Sequence, residues 1–209
     1  MTAVFVLTAT SVFSALFPVG VGIGTIRRLK LEMRFLVGLF IFAALVEGIT
    51  FYQALSSGGS HLAHYIYAPV EYALLIYVFS FWQENGIVRR AIRISIPIYI
   101  LICLADMNME KGLNSLNVLT RSLANIIYVL VASYTMLMLL RKDSGSIYRD
   151  FRFWIASGVL LYSSGSLAYF TLHNLMPSDI LLVVWYIHNG LNITANLMYA
   201  AAFLCQYRQ

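Results

Sequence analysis

The sequence predicts an all-α integral membrane protein, a single bundle of seven transmembrane helices with its N-terminus out and its C-terminus in. Three observations carry that expectation: the composition, the spacing of the apolar runs, and the side on which the basic residues fall. Of the 209 residues, 60% are hydrophobic and only 11% charged, with a mean hydropathy of +0.78. A soluble domain has roughly 25% charged residues and 45 to 50% apolar ones. A spanning helix with its turn uses about 20 to 25 residues, so the length holds seven or eight spans and excludes a separate soluble domain.

Apolar runs separated by charged or Gly/Ser-rich breaks lie near residues 3–25, 33–54, 62–82, 88–105, 117–140, 151–172 and 179–205. The first could be mistaken for a signal peptide, but no Lys or Arg precedes it and Arg27, Arg28, Lys30 and Arg34 follow it. That order predicts a retained helix with a translocated N-terminus. The fourth run, RISIPIYILICLA, is the shortest and contains Pro97, which predicts a kink or a weak span. The first, third and fifth connections and the C-terminal tail hold 12 of the 14 basic residues, leaving only Lys111 and Arg121 for the other side. Six or eight spans would break this alternation, so the positive-inside rule selects seven. The net charge of +5 is thereby explained by orientation, and no nucleic-acid partner is expected.

No internal repeat or long linker divides the chain. Gly20, Gly22 and Gly24 in the first span, and Ala156, Ser157, Gly158, Ser163, Ser164, Gly165 and Ser166 in the sixth, would let helices approach closely. Packing inside the bundle accounts for them more simply than a homo-oligomer interface, which stays open. Cys103 and Cys205 fall at opposite ends of their spans, too far apart to bridge.

An ionisable side chain in hydrocarbon costs a few kcal/mol or more, so each one marks a candidate site. Glu47 on the second span and Glu71 on the third lie roughly 10 and 13 Å below the outer surface at 1.5 Å per residue. His188 and Asn189 on the seventh span reach a similar level, as do Ser163, Ser164 and Ser166 on the sixth. Four helices thus deliver polar groups to one slab, which predicts a shared polar pocket in the outer half. Its rim would contain Tyr52, Gln53, Tyr65, Tyr169, Arg121 and Asn125.

His64 and Glu71 are seven residues apart on one face of the third span, with Pro69 between them. His188, Asn192 and Asn196 recur every fourth residue, a polar stripe that must face protein because lipid offers amides no partner. The stripe reads first as inter-helix hydrogen bonding, with a polar relay as the alternative. Asn192-Ile-Thr194 matches a glycosylation pattern but lies within the membrane, out of reach. His61 and His64 read more simply as interfacial residues than as metal ligands.

Candidate ligand-binding residues are therefore Glu47, His64, Glu71, His188, Asn189, Asn192, Ser164 and Asn125. Such a set suits a cationic or amine-bearing ligand, a proton shared by a glutamate–histidine pair, or, with His64, Glu71 and His188 as ligands, a zinc ion. No His-Glu-x-x-His or cysteine-pair metal motif occurs, and no cofactor is expected otherwise. The lysines Lys30, Lys111 and Lys142 all fall in loops, so no retinal Schiff base is expected, and serine-hydrolase signatures are missing.

The stretches HYIYAPVEYALLIYVF, FWIASGVLLYSSGSLAYF and WYIHNGLNITANLMYAAAF resemble small uncharacterised seven-helix proteins of Bacteroidetes-type bacteria, themselves similar to the membrane sensor regions of some histidine kinases. The resemblance implies an inner-membrane, sensor-like module. The chain stops a few residues past the last span, so the expected partners are the lipid bilayer and a separate cytoplasmic or membrane signalling protein. Two other readings remain open: an intramembrane metal-dependent hydrolase using Glu47, Glu71, His64 and His188, and a proton-coupled transporter using Glu47 or Glu71.

Overall fold

The computed structural model describes residues 2–56, 62–107, 118–141, 147–172 and 177–208, and their regular structure is entirely helical. His61, Lys111 and residues 57–60 of the SSGGS connection lie outside the described residues, as does the side chain of His64. The helices are α1 (Thr2–Ser14), α2 (Leu16–Thr25), α3 (Leu31–Ser56), α4 (Leu62–Trp82), α5 (Gly86–Met107), α6 (Val118–Arg141), α7 (Phe151–Leu172) and α8 (Ser178–Tyr207). Short 3-10 turns at Ile26–Arg28 and Ile147–Arg149 follow α2 and precede α7.

The first apolar run is not one continuous helix. It breaks at Ala15, three residues before Pro18. A proline ring collides with the carbonyl four residues back and supplies no N–H, and Pro18 tolerates the third position of α2 because early N–H groups of a helix are unpartnered anyway. Pro69 and Pro97 sit inside α4 and α5 without interrupting either helix.

Among the described residues six spans are long and apolar enough to cross a membrane: α1 and α2 together, α3, α4, α6, α7 and α8. The expected fourth span, α5, is a 22-residue helix but falls outside that set. The reason is local, since Arg89, Arg90 and Arg93 occupy its first turns and leave a short apolar remainder. Arg93 donates through Nε to Ser80 Oγ at 2.9 Å and stacks over the Tyr77 ring at 5.4 Å, so α4 solvates the charge that α5 carries.

Side-chain contacts show how the helices alternate. Arg28 stacks on Tyr207 at 4.9 Å, Lys30 on Phe151 at 5.4 Å, and Trp82 meets Phe151 edge-on at 6.0 Å. The ends of α2, α4 and α8 and the starts of α3 and α7 therefore share one strongly basic end. Arg89 Nη2 donates to the Gln83 carbonyl at 2.6 Å, which adds the start of α5. At the opposite end Thr120 Oγ1 donates to Asp106 across α5 and α6 at 3.2 Å.

Large apolar side chains face outward as well as inward: Phe13, Leu45, Leu101 and Leu130 are all at least 60% exposed. A surface of that kind suits hydrocarbon, because in lipid the hydrophobic effect no longer sorts residues between inside and outside. The interior is sorted by fit. Gly158 lies so close to Tyr199 that a Cβ there would sit 2.5 Å from its ring, and Gly165 meets Leu191 in the same way. These two small residues set the approach of α7 to α8. Gly22 does the same for α2 against Val37 of α3, whereas Gly20 and Gly24 face open space.

Candidate functional site: a tyrosine-walled acidic cavity

Five helices each turn one face toward a common cavity. On α3 the face is Leu39, Phe40, Ala43 and Glu47; on α4 it is Tyr67, Glu71 and Leu75; on α8 it is Asn192, Asn196 and Tyr199. The intervals of three and four are those of a single helical face. α7 adds Tyr162 and Ser163, α6 adds Tyr128, and Ala15 closes one side at the break between α1 and α2. The cavity has about 60 Å³ open to the centre of a water molecule. That is room for several waters or one small molecule, since a single water needs about 10 to 15 Å³ on this measure.

The two glutamates in the cavity differ in their partners. Glu71 is buried and accepts a hydrogen bond from Arg121 Nη1 at 2.6 Å, with the two side chains 11% and 13% exposed. Arg121 also stacks over the Tyr67 ring at 5.2 Å. A planar guanidinium is suited to this double duty, with its edge on a carboxylate and its face on an aromatic ring. Glu47 is half-buried, yet its Oε2 is sealed from solvent and has no hydrogen-bond partner among the described residues. Tyr128 OH and Ser163 Oγ, on residues that line the cavity, are also sealed and without a partner among the described residues.

The asparagine stripe of α8 ties the last helix to the first. Asn192 Nδ2 donates to Ser11 Oγ at 2.9 Å and Asn196 Nδ2 to Ser14 Oγ at 2.8 Å. Asn189 is buried but donates to the Trp185 carbonyl of its own helix at 2.9 Å, and it does not line the cavity.

Other expected site residues lie elsewhere. His188 is beside the cavity, not in it: its ring packs among Tyr162, Tyr169 and Trp185 at centroid distances of 5.6, 5.7 and 5.9 Å. Its Nδ1 has no hydrogen-bond partner among the described residues, and Arg121 bonds Glu71 where an imidazole partner was expected. Ser164 is exposed and Ser163 lines the cavity instead, because neighbouring helical residues differ by about 100° in direction. Asn125 is buried one turn from Arg121, outside the cavity lining.

Among the described residues no group of three His, Cys, Asp or Glu side chains could hold a metal ion. Cys103 and Cys205 are both free thiols. Arg121, expected only at the rim, was the missed residue. Its signal was present in the sequence, as one of just two basic residues expected on the side opposite the basic loops and seven residues from Tyr128 on the same face of α6. No family model, no curated protein and no solved structure matches the chain.

Proposed function

We propose that this chain is a sensor- or receptor-like module of a bacterial inner membrane, in which a small ligand, ion or proton enters the cavity between the spans and changes how the helices pack. One observation carries the proposal: Glu47 presents a sealed carboxylate oxygen with no partner among the described residues, in a cavity walled by five helices, while the neighbouring Glu71 is already neutralised by Arg121. A buried acceptor left unpaired costs about 1 to 3 kcal/mol or more if charged, so the arrangement favours whatever satisfies it. Occupancy that bonds to Glu47, Tyr128 and Ser163 pulls on α3, α6 and α7 together. The basic end, which the positive-inside rule predicts to lie inside, is where a separate signalling protein would read the change.

The test is amide hydrogen exchange on the full chain in lipid nanodiscs, comparing the natural protein with Glu47→Gln, which stands for a neutralised carboxylate. The expected result is altered exchange at the basic ends of α3 and α7, far from the substitution. Unchanged exchange there would sink the reading.

A specific feature favours a second reading, a proton-coupled carrier. The break at Ala15 opens on the cavity, and carrier sites are commonly formed where spanning helices are interrupted. Substrate accumulation in sealed vesicles driven by a proton gradient, and abolished by Glu47→Gln, would favour that reading over the sensor.

A further inference from the structure

We infer that the cavity is built for a small primary ammonium group. The inference rests on the cavity being a ligand site, and it adds the chemical class of the ligand. Three polar oxygens point to it, each sealed from solvent and without a partner among the described residues: Glu47 Oε2 on α3, Tyr128 OH on α6 and Ser163 Oγ on α7. All three can accept hydrogen bonds, and an ammonium group offers three N–H donors around one nitrogen.

Charge points the same way. The cavity holds two carboxylates, and the Arg121 guanidinium at its edge is committed to Glu71, so among the described residues one negative charge remains when Glu47 is ionised. A monovalent cation balances it, whereas a divalent metal would leave an excess positive charge in a low-dielectric site. The walls add a third argument. Tyr67, Tyr128, Tyr162 and Tyr199 line the space, and aromatic rings attract organic cations held near them. A volume of about 60 Å³ open to water centres limits the guest to an amine with a short chain.

The experiment uses the full chain in nanodiscs and measures thermal unfolding against increasing n-propylammonium chloride. Parallel arms contain sodium chloride, n-propanol and tetramethylammonium chloride. The expected result is a saturable rise in Tm with n-propylammonium alone. Glu47→Gln should raise the half-maximal concentration about tenfold or more. Ser163→Ala, which removes one acceptor without touching the charge, should raise it several-fold and guards against a folding defect in the first variant.

An equal effect of tetramethylammonium, which has no N–H donor, would overturn the inference, as would equal effects of sodium chloride or propanol, or no saturable shift. Hydrogen exchange on the same samples separates the two claims. If no amine binds but Glu47→Gln still alters exchange at the basic ends, only the ligand class is lost. If the amine binds and exchange stays the same, the sensor reading is lost and the ammonium site stands.

Discussion

Replacing Arg121 with methionine would remove the guanidinium that both bonds Glu71 at 2.6 Å and stacks over Tyr67. Methionine fills much of the same volume, so the cavity term is small and the electrostatic term dominates. With the pair only 11% and 13% exposed, little solvent reaches the stranded carboxylate. Removing one partner of a buried ion pair costs about 3 to 5 kcal/mol, and the lost cation–π contact adds about 1.

Adding Glu71→Gln should recover most of the first term, because a neutral amide needs no counter-charge. A double-mutant cycle should then give a coupling energy of about 2 to 3 kcal/mol, well above the few tenths expected of independent sites. The assay is equilibrium unfolding of the full chain in bicelles for the natural protein, both single variants and the double variant. Additivity within about 0.5 kcal/mol would refute the claim that these residues form the central ion pair of the bundle.

Further outcomes follow from the packing and the loops. Gly158→Ala should cost about 1 to 3 kcal/mol by driving a methyl into the Tyr199 ring, whereas Gly20→Ala, with nothing within 4 Å, should be neutral or stabilising in the same unfolding assay. Asn196→Leu should destabilise by about 0.6 kcal/mol and speed exchange in α1, because it removes the bond to Ser14; unaltered exchange would show that the stripe does not hold that helix.

Asp150 supplies a pH dependence. Burial pushes its carboxyl up, but hydrogen bonds from Arg152 at 2.9 and 3.1 Å outweigh burial and hold it below the ordinary carboxylate value. A depressed carboxyl contributes stability that is complete above its unfolded value and lost as pH falls through the folded one. Asp150→Asn should therefore flatten the acid limb of a Tm–pH profile and leave the neutral region parallel to that of the natural protein.

Much of the helical layout was legible before any tertiary structure, because transfer cost acts residue by residue. The runs near 62–82 and 151–172 coincide with α4 and α7, and the other helix ends differ by a few residues. Two local features were harder to read. Pro18 breaks the first run at Ala15, and the arginines of α5 take the fourth expected span below the apolarity of the others. Both signals are present in the residues, but their outcome depends on neighbours, such as the Ser80 hydroxyl that bonds Arg93.

For the site, rarity alone marked Glu47 and Glu71, since a carboxylate inside an apolar run is conspicuous wherever the run goes. Depth counting also placed them at a common level. It could not tell which partner each would find, because depth fixes one coordinate and leaves rotation about the helix axis free. Ser163 and Ser164 illustrate this: they are equally deep, yet only Ser163 lines the cavity. The sequence by itself determined the helices, their alternation and the level of the charged groups, through local costs of burial. Only the tertiary structure decided that Arg121 neutralises Glu71, that His188 packs among rings, and that Glu47 Oε2 finds no partner among the described residues, because rotation and side-chain reach are set by the packing of all the helices together.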